Sequence, residues 1–208
     1  MKILIKDPNA MNLDDFIKKI DREGAVVLLE GKREVLKADE DALIAIGKLL
    51  TEKSAHIMFR SGNAKGADYF FSLGVAAVNP YRLQVITPNN NHRAGENLAM
   101  ETISLENINM VNEYDILYTS KKNPKAKSLV EQYILGKNKR LAAQGALLLR
   151  DTIKVTGTKS GVAPATFGIF YDDLSSPESG GTGHTMKMCR EKMVPYVTQK
   201  VWKNWLNL

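Results

Sequence analysis

Two glycine-containing segments each lie between an apolar run and a helix-like pattern, and this arrangement restricts the fold more than any other feature. The first segment, residues 60–68, follows the apolar run 55–59, and the second, residues 179–184, follows the apolar run 166–171. Glycine allows the tight turn that joins a strand to a helix, and it lets an anion approach the bare backbone amides. The two segments therefore predict strand–loop–helix units and a site for a phosphate-bearing ligand.

Helix-like and strand-like patterns alternate along most of the chain. Apolar residues at helical spacing predict helices over 12–20 and 39–50, and each glycine segment leads into a further helix. Apolar runs predict strands over 25–29, 55–59, 82–87, 166–171 and 194–197. Strands that alternate with helices predict an α/β fold, with a mostly parallel sheet and helices on both faces. Ligands of such sheets sit beyond the carboxyl ends of the strands, so we expect both glycine segments at one crevice.

The stretch 96–149 has weaker patterns, and we predict it to be mostly helical and polar. Within it, residues 114–118 are predicted to form a strand and residues 125–143 a helix. Residues 152–156 have strand propensity, although Asp151 could equally cap a short helix there. We treat the chain as one nucleotide-binding domain, 1–208, with an N-terminal helical extension over 1–23 and a helical, lysine-rich insertion over 96–150.

Composition limits the class of protein. The 208 residues suit one domain, and contents of 44% apolar and 25% charged residues are ordinary for a globular protein. The single cysteine, Cys189, excludes an intramolecular disulfide framework, so we expect a reducing, cytoplasmic location. Residues 1–6 are too few for a signal peptide, and no apolar run approaches the roughly 20 residues of a membrane helix, so we expect no membrane partner. The net charge of +6 is compatible with nucleic-acid or polyphosphate partners.

Both glycine segments resemble loops of a known superfamily. Residues 61–68, Ser-Gly-Asn-Ala-Lys-Gly-Ala-Asp, resemble the first loop of the SLOG superfamily, usually Ser-Gly-Gly-Ala-x-Gly-Ala-Asp. Residues 180–185, Gly-Gly-Thr-Gly-His-Thr, resemble its second, phosphate-facing loop, and Arg150-Asp151 resembles the Arg-Asn pair of its phage-type subgroup. This Rossmann-like superfamily includes the DNA-processing protein A family, the LOG-type phosphoribohydrolases, and uncharacterised bacterial and phage proteins, which the chain resembles most. The resemblance covers residues 24–200.

The chain departs from the superfamily at three positions. Asn63 replaces the usual second glycine of the first loop, and asparagine tolerates left-handed backbone angles better than most residues. Ser179 replaces the proline of the LOG-type loop, and Lys187 stands where those enzymes carry the glutamate that acts on the ribosyl bond. A cation cannot stabilise an oxocarbenium-like transition state as a carboxylate does, so LOG-type hydrolysis is disfavoured.

The predicted ligand-binding residues lie in the two glycine segments and at the arginine between them. They are Arg60, Ser61, Gly62, Gly66, Asp68, Arg150, Gly180, Gly181, Thr182, Gly183, His184 and Thr185. Gly180 to Gly183 would hold a phosphate, and Ser61 to Asp68 the other end of the ligand. Arg150 is predicted from the resemblance alone.

Each of these residues also has a structural interpretation. Thr182 and Thr185 could cap a helix, and Asp68 could stabilise a helix start or hold a ribose. Arg60 could pair with a phosphate or with an acid such as Asp68. His184 could contact phosphate, exchange a proton or be a polar residue at a helix end.

The only candidates for catalysis are Asp68, Asp173 and His184. Asp173 and its neighbour Asp172 follow a predicted strand, where paired acids suit acid–base chemistry, although solvated loop acids are commoner. The histidines His56, His92 and His184 do not have metal-ligand spacing, so no metal is predicted.

The sequence leaves three functions open. The first is binding of a nucleotide or nucleotide-derived ligand such as an ADP-ribose-like molecule, as a sensor, a carrier or a non-standard hydrolase. The second is binding of single-stranded nucleic acid through the lysine-rich residues 121–140, which could also be a solvated helix face. The third is an N-glycosidase acting on nucleoside monophosphates with Asp68 or Asp173 as its acid. No cofactor is certain, and the resemblance implies a homo-oligomer.

Overall fold

Six strands and eight α-helices form in the part of the chain that the computed structural model describes, which is residue 5, residues 7–121 and residues 124–206. The strands are β1 Val26–Gly31, β2 Met58–Ser61, β3 Leu83–Thr87, β4 Glu101–Ser104, β5 Phe167–Tyr171 and β6 Tyr196–Thr198. The helices are α1 Leu13–Ile20, α2 Glu40–Lys53, α3 Ala67–Val78, α4 Tyr114–Ser120, α5 Pro124–Leu135, α6 Lys139–Thr156, α7 Gly180–Lys192 and α8 Gln199–Trp202. Residues 1–4 and 6 of the predicted N-terminal extension lie outside the described residues.

All six strands run parallel in one sheet, in the order β4-β3-β2-β1-β5-β6. This confirms the predicted α/β class with a Rossmann-like sheet. Strands β2, β3 and β4 follow one another on one side of β1. The chain then crosses to the other side of β1, where it adds β5 and β6. The order therefore reverses between β1 and β5, which is where open α/β sheets bind their ligands.

The sheet is buried on both faces, as the apolar strand runs predict. In β1, Val27 and Leu29 pack in a core with α1, α2 and α3, whereas Leu28 between them packs on the other side with α7. A third apolar cluster joins β3 to α6 through Ile86 and Ile153. This alternation follows from the two-residue period of a strand.

The stretch 96–149 was predicted least well. Residues 114–118, predicted as a strand, lie in helix α4, which buries Ile116, Thr119 and Ser120 at helical spacing. The edge strand β4 was not predicted, because its four residues carry little apolar pattern. The single helix predicted over 125–143 is two helices, since Gly136, with φ of +66°, breaks the chain after α5. Residues 152–156 complete α6 and form no strand.

Two boundaries of the glycine segments also differ from the prediction. Strand β2 begins at Met58 and ends at Ser61, so Arg60 and Ser61 are strand residues and do not belong to the loop. Helix α7 begins at Gly180, so the second segment forms the first turn of that helix. Among the described residues, no helix is both long and apolar enough to cross a membrane.

Candidate functional site

A cavity of about 570 Å³ opens at the carboxyl ends of β1 and β5, where the strand order reverses. Its floor is made by charged residues of β1, α3 and α6, and its walls by the β1–α2 loop, the α5–α6 hairpin and the start of α7. The lining residues are Glu30, Gly31, Lys32, Arg33, Glu34, Ala64, Asp68, Leu129, Gln144, Leu147, Leu148, Arg150, Asp151, Lys154, Asp172, Asp173, Ser179, Gly180, Gly181 and Thr182. We call this cavity the crevice.

The first turn of α7 forms one wall of the crevice, through residues 179–182. The Gly183 amide is the first in this turn to close a helical bond, donating to Ser179 O at 3.0 Å. Amides at a helix start have no intrahelical acceptor, and the helix dipole adds partial positive charge there. A Cβ on Gly181 would lie 3.3 Å from Asp151 Oδ2, so Gly181 faces α6 across the crevice without a side chain between them.

Three residues of the second glycine segment that were predicted to touch the ligand, and likewise Gly62 and Gly66 of the first, do not line the crevice. Gly183 lies against the loop before α7, where a Cβ would meet Glu178 O at 1.7 Å. Thr185 is fully buried, and its hydroxyl donates to Gly181 O at 3.2 Å. His184 Nε2 lies 3.2 Å from Thr152 Oγ1, and burial lowers the pKa of this imidazole. These contacts fix the helix start behind the crevice wall.

The first glycine segment is organised by the Asp68 carboxylate at the start of α3. Its Oδ1 accepts from the Gly31 amide at 3.0 Å, and its Oδ2 accepts from the amides of Gly62 at 3.1 Å and Ala64 at 3.4 Å. The carboxylate thus ties the end of β1 to the loop after β2. Asp68 also lines the crevice, as predicted for a ligand residue, but its oxygens already hold three backbone donors.

The other residues of the first segment serve the turn. Asn63 adopts a left-handed backbone angle in this turn, with φ of +52°, as expected from the tolerance of asparagine for such angles. Gly66, with φ of +80°, lies so close to the Arg33 backbone that a Cβ would meet Arg33 O at 2.1 Å. At Gly62 a Cβ would lie 2.9 Å from Lys154 Nζ and 3.0 Å from Arg150 Cζ, so this glycine makes room for the charged floor.

Arg60 points away from the crevice and does not pair with Asp68. Its guanidinium donates to Gln84 Oε1 at 2.5 Å, and to the carbonyl oxygens of Lys154 at 2.9 Å and Ala163 at 2.8 Å. Burial lowers the pKa of Arg60 to about 10. Ser61 is also buried, and its hydroxyl has no hydrogen-bond partner within the described residues. Neither residue lines the crevice.

A buried group of four charged residues forms the crevice floor. Lys154 Nζ lies 2.7 Å from Glu30 Oε1 and 2.8 Å from Asp151 Oδ1. Arg150 donates to the same Asp151 oxygen at 2.8 Å and, through Nη1, to Gly62 O at 3.0 Å. The exposed fractions are 3% for Glu30, 6% for Arg150, 3% for Asp151 and 1% for Lys154. Two acids and two bases therefore compensate each other where water is largely excluded. We call these four residues the floor cluster.

The acids of the floor cluster have opposite pKa shifts. Burial raises the pKa of Glu30 to about 7, although the adjacent Lys154 opposes this shift. Burial also tends to raise the pKa of Asp151, but the adjacent cations Arg150 and Lys154 outweigh this effect and lower the pKa to about 2. Burial disfavours the charged form of Lys154, yet Asp151 and Glu30 together raise its pKa. Glu30 is consequently the member of the cluster that exchanges a proton near neutral pH.

The two acids after β5 have separate roles. Asp172 is buried, and both of its oxygens accept from the Glu178 amide, at 3.2 and 3.1 Å. Asp173 lies at the crevice mouth, where its Oδ1 accepts from Ser175 Oγ at 2.7 Å and lies 3.5 Å from Lys32 Nζ. The hydrogen bonds from Ser175 and the charge of the nearby Lys32 lower the pKa of Asp173 to about 2. Among the described residues, no group of three His, Cys, Asp or Glu side chains could hold a metal ion.

Sequence reasoning missed Glu30, Asp151 and Lys154 as site residues. Glu30 is the one acid inside the run 25–31. A charged residue at the end of a strand that is buried on both faces could have identified it as a site residue. On α6, Arg150, Asp151 and Lys154 are spaced so that they share one helix face. That spacing became informative only once residues 152–156 were known to be helical.

The lysine-rich residues 121–140 span α5 and the tip of the α5–α6 hairpin. Lys137, Lys139 and Arg140 are exposed at this tip, and Lys127 Nζ lies 4.0 Å from Glu131 Oε1. Lys122 lies outside the described residues. The same hairpin contributes Leu129, Gln144, Leu147 and Leu148 to the crevice wall.

No protein-family model matches this chain, and no curated protein matches it. Among solved structures, the chain is similar to DNA processing protein A from Helicobacter pylori, a structure reported for its single-stranded DNA binding mode. The two are 15% identical, the match covers 93% of this chain and 74% of that chain, and the TM-score is 0.45. A likeness of this extent carries no argument about the ligand of this chain.

Proposed function

We propose that the crevice binds a nucleotide or a nucleotide-derived ligand and holds its phosphate at the first turn of α7. The observation that carries this proposal is the position of Gly181 and Thr182, at a helix start that faces an open cavity of about 570 Å³. Amides at a helix start bind anions, and a cavity of this volume lies within the usual range for small-molecule sites. Lys32 and Arg33, which also line the crevice, add positive charge.

The rest of the crevice suits the other parts of a nucleotide. Leu129, Leu147 and Leu148 give an apolar wall that a planar base would cover, and Gln144 offers an amide beside them. All three leucines are partly exposed in the structure, so a base would remove apolar surface from water.

Sensing or carrying a ligand fits this site better than hydrolysis of an N-glycosidic bond. Asp68 already accepts three backbone amides, and Asp173 accepts from Ser175 and lies 3.5 Å from Lys32, so the oxygens of both acids are engaged within the protein. Lys187, at the position of the LOG-type glutamate, is exposed on α7.

Thermal unfolding with a panel of ligands tests the proposal. The panel contains nucleoside monophosphates, dinucleotides, ADP-ribose and short single-stranded DNA. A ligand at a hundred times its Kd stabilises the native state by about 2.7 kcal/mol. At roughly 2–4 °C per kcal/mol, the midpoint should rise by about 5–10 °C. We expect such a rise with a mononucleotide-sized ligand.

A pair of glycine variants ties the rise to the crevice. Gly181→Leu should abolish it, because the new side chain would project toward Asp151. The matched control is Gly95→Leu, since Gly95 is exposed and has open space around its Cα. A rise that survives Gly181→Leu would contradict the proposal, as would the absence of any rise across the panel.

Single-stranded nucleic acid is the second candidate, and the observation that favours it is the exposed basic tip of the α5–α6 hairpin beside the crevice. Binding through Lys137, Lys139 and Arg140 would neutralise several phosphates, so the affinity should fall steeply with salt. The affinity for a mononucleotide in the crevice should depend less on the salt concentration. Replacing these three residues by glutamine should remove DNA binding and leave mononucleotide binding unchanged.

A further inference from the structure

A second cavity of about 570 Å³ lies behind the crevice, between the loop 172–179, the end of α7 and strand β6. Much of its lining is apolar, with Pro8, Leu174, Pro177, Met186, Met193, Val194 and Pro195. Its polar side carries two cations, Arg190 and Lys200, and the Tyr196 hydroxyl. We call it the rear cavity. Asp172 lines both cavities, so the loop 172–179 separates them.

Glu178 of the chain itself occupies the cationic side of the rear cavity. Arg190 Nη1 donates to Glu178 Oε1 and to Tyr196 Oη, the latter at 2.8 Å, and Tyr196 Oη lies 3.3 Å from Glu178 Oε1. The side chains of Arg190 and Glu178 are 46% and 40% exposed. An internal carboxylate in contact with solvent exchanges readily with an external one, because an exposed ion pair contributes little to stability.

Two residues that line the rear cavity have left-handed backbone angles, and for Met193 this is the usual conformation of a residue that caps the C-terminus of a helix, here α7. Glu178 and Met193 both have φ of +57°, a left-handed conformation that non-glycine residues adopt at a cost. Met193 is also 68% exposed although it is apolar. Strained residues collect at ligand clamps and switch segments, where surrounding contacts hold them. Glu178 is held by Arg190 and Tyr196, which contact its carboxylate, and by Asp172, which accepts from its amide.

The loop 172–179 also reaches the anion-binding wall of the crevice. Asp172 holds the Glu178 amide, and Glu178 O lies against Gly183 so closely that no Cβ would fit between them. Ser179 and Gly180, the next residues, line the crevice itself. A movement of the Glu178 backbone would therefore be transmitted to the start of α7.

We propose that the rear cavity binds a small monocarboxylate with an apolar body, which takes the place of Glu178 on Arg190 and Tyr196. The carboxylate matches the charge of Arg190 and Lys200, and the apolar body covers Met193 and Pro195. The site differs from the crevice in position and in ligand. Its occupation frees Glu178 and shifts the first turn of α7.

Titration with 4-phenylbutyrate, followed by proton–nitrogen correlation spectra, tests this proposal without any crevice ligand. The amides of Val194 and Tyr196 should shift, and 4-phenylbutanol, which lacks the carboxylate, should leave them unchanged. Glu178→Gln removes the internal competitor and should tighten binding about threefold, whereas Arg190→Gln should weaken it by about the same factor. Tyr196→Phe, which loses one hydrogen bond, should weaken binding less and replaces Arg190→Gln if that variant does not fold.

Equal affinities of the wild type and Glu178→Gln would overturn the proposal, as would shifts produced equally by the alcohol. The coupling has a separate readout, the amides of Ser179 and Gly181. They should shift with the same Kd as Val194, and no shift there would overturn the link to α7. Because this titration contains no crevice ligand, failure of the crevice proposal and failure of this one are distinguishable.

Discussion

Lys154 Nζ on α6 lies 2.7 Å from Glu30 Oε1 at the end of β1, and this ion pair joins the helix to the sheet at the floor of the crevice. Neither partner is more than 3% exposed. Burying two charges costs hydration free energy, and close contact and hydrogen bonds return only part of that cost. A pair of this kind is therefore weak evidence of stabilisation.

Lys154→Met should destabilise the protein strongly, because it leaves Glu30 and Asp151 without their shared cation. Removing one partner of a buried ion pair costs about 3–5 kcal/mol in the free energy of unfolding. Denaturant unfolding at a pH above the Glu30 pKa of about 7 measures this, with Lys127→Met as the control, since the exposed Lys127–Glu131 pair should contribute about 0–1 kcal/mol. The double variant Glu30→Gln/Lys154→Met should recover part of the loss. Equal effects of the two lysine variants would exclude the described floor cluster.

Glu30 should make the stability fall as the pH rises toward neutrality. Its pKa is raised from 4.5 to about 7, so between these values the folded state binds the proton that the unfolded state has released. The free energy of unfolding therefore decreases with pH across that window, by on the order of 3 kcal/mol, and Glu30→Gln should remove this decrease.

Unfolding at a series of pH values in both proteins isolates the Glu30 contribution. His92 and His184, whose pKa values burial lowers, are present in both and cancel in the difference. Asp151, with a pKa of about 2, titrates below the window. Parallel stability curves of wild type and Glu30→Gln would show that Glu30 has an ordinary pKa.

Asp68→Asn should loosen the first glycine segment. The carboxylate accepts three backbone amides with two oxygens, whereas the NH₂ group of asparagine cannot accept. Leaving a buried donor unpaired costs about 1–3 kcal/mol in the free energy of unfolding. Asp14→Asn on the exposed side of α1 is the matched control, for which we expect little change. Amide exchange should also quicken at Gly62, and unchanged exchange there would argue against the bridging role.

Gly183→Ala should shift the start of α7, because its Cβ would lie 1.7 Å from Glu178 O. Overpacking of this kind costs about 1–3 kcal/mol. Gly95→Ala, whose Cβ has open space, should stay within about 0.5 kcal/mol of the wild type. Thermal unfolding compares the two, and a Gly183→Ala protein as stable as the control would mean that the 172–179 loop lies elsewhere.

The parallel sheet was predictable because most of its strands are buried on both faces and so read as apolar runs. Strand β4 and helix α4 were not predictable, because each has too few residues to show a strand or helix period. The segment Tyr114–Tyr118 has strand-forming residues, but burial of Ile116, Thr119 and Ser120 against α6 and its neighbours selects the helix. Tertiary packing outweighs local propensity in such short elements.

The candidate site was predictable in part for a similar reason. Gly181 and Asp68 line the crevice because a backbone turn and a helix start are encoded locally. Arg60 and His184 could not be placed from the sequence, since whether a side chain faces the crevice depends on where a strand or helix begins. The floor cluster depends on contacts between residues more than a hundred positions apart, Glu30 and Lys154 among them.

The most direct test of the proposed function is a titration with adenosine monophosphate, read at the backbone amides of Gly181 and Thr182 in proton–nitrogen correlation spectra. If the first turn of α7 holds the phosphate, both amide protons should shift downfield with one saturable Kd, and adenosine should not reproduce those shifts. Shifts confined to Lys137, Lys139 and Arg140, or no saturable shift at Gly181 and Thr182, would contradict a phosphate site in the crevice.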